Sequence, residues 1–205
     1  MQFNTTSPEI SATRAALLTR AEAMAQSLPW HEVTMSKLAQ SAGVSRQTVY
    51  NEFGNKQGLA RAIALVVAQR LLVDFNEAAA AEHDLHGALA AGLVSAFEHA
   101  DDTPLVHAVL TGQSGNGLLT VVTTDASEIL ETAGGAITHM VLDRWPAHER
   151  ASVEIVAELA IRLFVSHLLQ PGPSRRVTAA RIATIALAAL EHGQELVAAA
   201  ENRVG

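Results

Sequence analysis

An all-α fold is predicted by three features of this 205-residue chain. Alanine and leucine are abundant while aromatics make up 4%, a balance that suits helices packed through small side chains better than a β-sandwich. Apolar residues recur at helical spacing between cap and break signals, and no stretch reads clearly as a strand. The hydrophobic fraction of 49% is enough to build a buried core.

The elements follow in order. Residues 1–9 read as a tail. Ala15, Leu18, Ala21 (or Glu22) and Ala25 predict a first helix over 11–27. Pro29 ends it, because proline disfavours helix at the residue before it. Thr34 is an N-cap for a second helix over 35–41, with Leu38 and Ala39 inward. Gly43 follows where a left-handed turn residue is wanted, and Ser45 caps a third helix over 46–52. Gly54-Asn55 breaks the chain. A long helix then runs from about 56 to 80 with Ala60, Ile63, Ala64, Val67, Leu71 and Phe75 at helical spacing, spanning ~37 Å.

Asp84 caps the next helix, to about 100. Thr103-Pro104 opens a short one over 104–111, and "GQSGNG" at 112–117 is a loop. Asp125 with Glu128 resembles a capping box and opens a helix to about Trp145, which Gly134-Gly135 should weaken or bend. Pro146 should start the following helix, to Leu169. "PGPS" at 171–174 is a break, and Ser174 caps a last helix to about 200. The total is nine or so helices, three short and six longer.

Composition narrows the function. With no cysteine there is no disulfide framework, thiolate metal site or thiol nucleophile. The opening "MQFNTTSPEISATR" lacks the basic-then-apolar pattern of a signal peptide, and no apolar run approaches the ~18 residues of a spanning helix. A soluble, cytoplasmic protein without membrane association is expected. Net charge is −7, but it is unevenly spread. Residues 1–56 hold five basic and four acidic side chains, against nine and seventeen in the remainder. A near-neutral head on an acidic body suggests that only the head meets a polyanion.

The three short helices fit helix-turn-helix logic. Ala39 is small where two helices touch, Gly43 sits at the turn, Val44 plugs the gap and Val49 faces inward. That leaves Arg46, Gln47, Thr48 and Asn51 outward on a helix short enough for a major groove, where Arg pairs with guanine and Gln or Asn with adenine. Tyr50 and Lys56 carry donors suited to phosphate oxygens, as do Thr34, Ser36 and Lys37; Ser45 joins them at the cap. The chain's only tyrosine and both of its lysines therefore fall in one patch.

Here the sequence resembles a family. "VTMSKLAQSAGVSRQTVYNEFGNKQGLARAI", residues 33–63, is similar to the DNA-binding segment of TetR-type transcriptional repressors. The Ala39…Gly43-Val44-Ser45 turn, the Tyr50-x-x-Phe53 pair, and Lys56 followed by Leu59 carry the match. "SRQTVYNEFGNKQGLA", "PLVHAVLTG" and "LLTVVTTDASEIL" are similar to a branch associated with alkane and fatty-acid metabolism. The resemblance implies a helix-turn-helix head over 1–56 and an effector-binding, dimerising body over 57–205. It implies a homodimer on double-stranded operator DNA, released by a small molecule, with a long-chain fatty acid or acyl derivative as the first guess.

The last two helices, with Ile155, Leu159 and Phe164, then Ile182, Ile185, Leu187 and Leu190, have the apolar area for a dimer bundle. Pocket candidates are Phe97, His107, Leu110, Leu118, Ile137, Met140 and Trp145. His107, His139 and His167 read first as buried core histidines and second as polar tips in a pocket. His83 and His86 with Asp84 lack a third clear ligand and read as surface residues, so no metal is expected. No cofactor and no catalytic group is expected either. The alternative reading is a helical carrier of apolar ligands without DNA binding.

Overall fold

The computed structural model describes residues 12–106 and 126–204, with side chains as far as 192. All regular structure among them is helical. The elements are α1 (Ala12–Ser27), a 3-10 turn (Trp30–Glu32), α2 (Met35–Ala42), α3 (Arg46–Phe53), α4 (Lys56–Ala80), α5 (Leu85–Asp102), α6 (Ser127–Arg144), α7 (Arg150–Leu169) and α8 (Arg175–Val204). Helical residues 104–106 follow α5. The loop at 112–117 and the Asp125 half of the expected capping box lie outside the described residues.

Local chemistry sets the helix starts. Thr34 Oγ1 accepts from the Lys37 amide at 3.2 Å, Ser45 Oγ from Thr48 at 3.0 Å, Asp84 Oδ1 from Gly87 at 2.8 Å and Ser174 Oγ from Val177 at 3.1 Å. Each bond satisfies an amide that would have no partner inside its helix. Asn55, readable beforehand only as part of a break, caps α4 in the same way, accepting from Gly58 at 2.8 Å. Gly43 has φ +68°, the left-handed conformation that ends α2.

Two expectations need correction. The inward stripe of α1 is Leu17, Leu18, Ala21, Glu22 and Ala25, while Ala15 is exposed. The buried Glu22 is tolerated because Arg70 of α4 grips it with two hydrogen bonds, at 2.5 and 2.9 Å. Helix α7 begins at Arg150, not Pro146. Arg144 is tied to the end of α4 through the Ala79 and Glu82 carbonyls, so the chain must turn before it can return. Helix α6 runs unbroken through Gly134-Gly135, and a Cβ at Gly134 would stand 3.9 Å from Ile161 of α7.

Two apolar clusters result. The head cluster joins α1–α3 to the first turns of α4 around Leu17, Trp30, Leu38, Val49, Phe53, Leu59 and Ile63. The body cluster joins the rest of α4 to α5–α8 around Phe75, Leu89, Phe97, Ile137, Val153 and Ile182. Helices α4 and α6 run parallel, since Ile129 at the start of α6 packs on the head cluster while Arg144 at its end reaches Ala79.

Close approach of α4 and α5 depends on Gly92. A Cβ there would lie 2.6 Å from Phe75 Cδ2. Gly92→Ala should therefore force the Phe75 ring aside and destabilise the protein by about 1–3 kcal/mol, lowering Tm by roughly 2–4 °C per kcal/mol for a chain of this size. Adding Phe75→Leu should recover part of the loss in thermal unfolding. An unchanged Tm would mean that the ring has room to move.

Candidate nucleic-acid interface and apolar cavity

The exposed face of α3 is built by what its other face buries. Val49 is fully buried and Phe53 nearly so. Arg46, Gln47, Tyr50 and Asn51 consequently point to solvent, with Tyr50 42% exposed. Gln47 Nε2 donates to Asn51 Oδ1 at 2.8 Å, one helical turn away. Thr48 is half-buried, and its hydroxyl meets Ser45 Oγ at 2.8 Å. Thr34 and Lys37 are exposed and Ser36 half-buried at the first turn of α2. Lys37 pairs with Glu32 at 3.6 Å in an exposed contact, which contributes little to stability.

Lys56 has a different setting from the one its sequence position suggests. It is half-buried, and its ammonium donates to the Trp30 carbonyl at 2.5 Å and the His31 carbonyl at 3.3 Å. It also lies 5.1 Å from the centroid of the Trp30 ring. Burial lowers its pKa below the ordinary value of 10.5. Lys56 thus ties the start of α4 to the 3-10 turn. Arg14 ties α1 to α3 in a similar way, donating to the Glu52 carbonyl and lying 4.8 Å from the centroid of the Phe53 ring.

The second feature is a cavity of about 180 Å³ in the body. Its walls come from α4 (Val67, Leu71, Phe75), α5 (Leu89, Leu93), α6 (Ile129, Ala133, Ile137, Val141), α7 (Val153, Ala157, Phe164, Leu168) and α8 (Ile182, Ala186, Leu190), with Leu105 and Val106. Every described side chain that lines it is apolar.

Of the pocket candidates, Ile137 lines the cavity. Phe97 is fully buried behind it and stacks on the lining Phe164, with ring centroids 4.4 Å apart. Met140 and Trp145 pack on the outside of the body cluster, the latter under the Arg144 guanidinium at 4.4 Å. His107, Leu110 and Leu118 lie outside the described residues. His139 is exposed, correcting its reading as a core residue, and His167 is half-buried. Asp84 is spent on its cap, and His86 Nε2 meets Thr184 Oγ1 at 3.0 Å.

The apolar residues assigned to the last two long helices divide by face. Ile155, Leu159 and Ile185 are 51%, 52% and 59% exposed, and Val177 in the first turn of α8 is 42% exposed. Phe164, Ile182 and Leu190 turn inward to the cavity, and Leu187 packs on the body cluster. Helical spacing separates Ile155 and Leu159 from Phe164 on α7, but Ile182 and Ile185 lie only three residues apart on α8 and packing decides between them. No described helix is long and apolar enough to cross a membrane.

Comparison with known proteins adds the context. Residues 17–63 match the model of the tetR family of bacterial regulatory proteins, and residues 84–188 match that of the bacterial tetracyclin repressor C-terminal domain. The chain is 33% identical over 177 residues to the HTH-type transcriptional regulator AlkX of Mycobacterium tuberculosis, covering 86% of this chain and 80% of that one. Its structure is similar to that of the TetR family repressor AlkX from a Dietzia strain, implicated in biodegradation of n-alkanes. The TM-score is 0.73 at 25% identity, over 88% of this chain and 96% of that one. The R. erythropolis repressor QsdR shares the fold, with TM-score 0.65 at 14% identity, over 86% and 94% of the two chains.

The setting of Lys56 makes a stability prediction. Lys56→Met should leave the Trp30 and His31 carbonyls without their donor and lower stability by about 1–2 kcal/mol in urea unfolding at neutral pH. The sign of the pH effect follows from the lowered pKa. Between the folded value and 10.5 the unfolded chain binds more protons, so the Lys56 contribution to stability rises with pH there. The variant should lose that rise, and equal unfolding midpoints for the two proteins would contradict the tie.

Proposed function

The chain belongs to the TetR family of bacterial transcriptional regulators, and we propose that it is a dimeric repressor released from its operator by a small apolar effector. One observation carries this reading: α4 is both a wall of the head core, through Leu59, Ala60 and Ile63, and a wall of the apolar cavity, through Val67, Leu71 and Phe75. A guest in the cavity therefore acts on the helix that carries the DNA-reading head. DNA binding is assigned to residues up to 56, effector binding and dimerisation to 57–205.

On the DNA, Arg46, Gln47 and Asn51 read base edges, and Thr34, Ser36, Lys37, Ser45, Thr48 and Tyr50 position the head on phosphates. Lys56 contributes only what its third proton can reach. Two heads must sit about 34–36 Å apart, or a multiple of it, to enter successive major grooves. The pairing surface is the exposed apolar face of α7 and α8, with Ile155, Leu159, Val177 and Ile185. Solvent-exposed apolar side chains in such a row gain burial when a second copy covers them.

The effector is assigned a long aliphatic chain, because only apolar side chains are described around the cavity. The link of the Dietzia relative to n-alkane biodegradation points the same way. Hexadecanoic acid and hexadecane are the first compounds to compare. Calorimetry with and without DNA from upstream of the gene tests the reading. Linkage requires operator to weaken effector binding by the factor by which effector weakens operator binding. Equal affinities in the two conditions would exclude that compound as inducer. No release from DNA across a series of apolar compounds would leave a constitutive DNA binder.

Two substitutions separate base reading from phosphate contact. Gln47→Ala should relax preference at one position per half-site by about 1–3 kcal/mol and leave other positions intact. Lys37→Met should weaken specific and non-specific duplexes alike and reduce the salt slope by about 0.9 per head. Unchanged base preference after alanine at Arg46, Gln47 and Asn51 together would mean that α3 does not face the groove.

A further inference from the structure

One end of the cavity is closed by side chains that also belong to the head core. Ile63, Ala64 and Val67 of α4, Ile129 of α6, and Leu105 all line the cavity and pack in the head cluster. Leu105 stands apart from the others. All other fully buried members of that cluster come from residues 17–63, whereas Leu105 follows α5 in the body. It is only 2% exposed.

Its mount is well tied. The Thr103 amide donates to the Ala100 carbonyl at 3.3 Å, and Thr103 Oγ1 donates to the His99 carbonyl at 2.8 Å, closing the end of α5. His99 Nδ1 pairs with Asp74 of α4. Arg175 of α8 holds Asp101 with two bonds, at 2.6 and 2.8 Å. The Leu105 side chain therefore enters the head core from a base anchored to two other helices. A close-packed side chain of this kind either fits its slot or leaves it, because packed interiors compress little.

We propose that Leu105 is the positioning residue through which occupancy of the cavity loosens the head. The proposal rests on the regulator reading above and deepens it. A guest that fills the end of the cavity near Ile63 and Ile129 competes with Leu105 for space. Displacing Leu105 removes a buried contact from the packing of α1–α4 that holds α3. A guest that fits only when Leu105 has left binds the loosened state better, which is the differential affinity that coupling needs. The rival route is a direct push on α4, which would not need Leu105.

The test replaces an unknown guest with a built-in one. Ala133 lines the cavity from α6 one turn beyond Ile129, lies outside the head cluster, and is 7% exposed, so Ala133→Phe, whose ring leans towards the N-terminus of α6, fills the end of the space near Leu105. Four full-length proteins are compared: the natural chain, Ala133→Phe, Leu105→Ala and the double variant. The readouts are hydrogen exchange at the Leu38 and Val49 amides, which bond to the Thr34 and Ser45 carbonyls, and affinity for the upstream duplex. Ala133→Phe should speed head exchange and weaken DNA binding by about tenfold, and by less than about twofold when Leu105→Ala is also present.

Equal factors in both backgrounds would overturn the proposal in favour of α4 alone. So would a folded Ala133→Phe protein with unchanged head exchange. If Leu105→Ala unfolds the head, Leu105→Val takes its place, with an intermediate factor expected and the full factor overturning the proposal. Head exchange needs no DNA. Failure of every form to bind duplex would therefore refute the regulator reading and still leave exchange to decide the role of Leu105.

Discussion

The structure depends on one helix being buried by two cores. Over its 25 residues α4 gives Leu59, Ala60, Ala62 and Ile63 to the head and Phe75 and Ala79 to the body. Neither core would be complete without it, because the head's three short helices bury only one face each. Polar ties hold α4 along its length. Lys56 fastens its start to the 3-10 turn, Arg70 its middle to Glu22 of α1, Asp74 its flank to His99 of α5, and Arg144 of α6 its last carbonyls. Buried or half-buried charges are acceptable here because each has partners, and removing one partner would strand the other.

The same economy shapes the head. Its few cations do not all face outward. Arg14 and Lys56 spend their charge on carbonyls and aromatic rings inside the head, and Lys37 shares its charge with Glu32. Uncharged donors and acceptors of α3 then dominate the solvent face, with Arg46 as its cation. A surface of this type discriminates through hydrogen-bond geometry more than through long-range attraction, which suits a body whose net charge is negative.

The body shows the complementary choice. Its core is apolar but for Thr138 and Thr178, the only buried polar residues described there. An apolar wall recognises shape and length but not a particular polar group, since it offers no donor or acceptor to orient one. Selectivity in such a site comes from how well a chain fills the volume and from which side chains must move to admit it.

Much was legible before the fold was seen, wherever the physics is local. Caps at Thr34, Ser45, Asp84 and Ser174, the left-handed Gly43, and the inward Leu38 and Val49 follow from chemistry within four residues, and all stand in the structure. Helical class and the family motif are of the same kind. What tertiary structure decided is where a side chain meets a neighbour distant in sequence. Lys56 finds carbonyls 25 and 26 residues away, and Glu22 finds Arg70 across 48. Phe164 and Ile182 turn to a cavity while Ile155 and Ile185 face out, and only the placement of five helices makes that cavity. Helical spacing marks which residues share a face. It carries no information on what that face will meet, because that is settled by the packing of all the other helices at once.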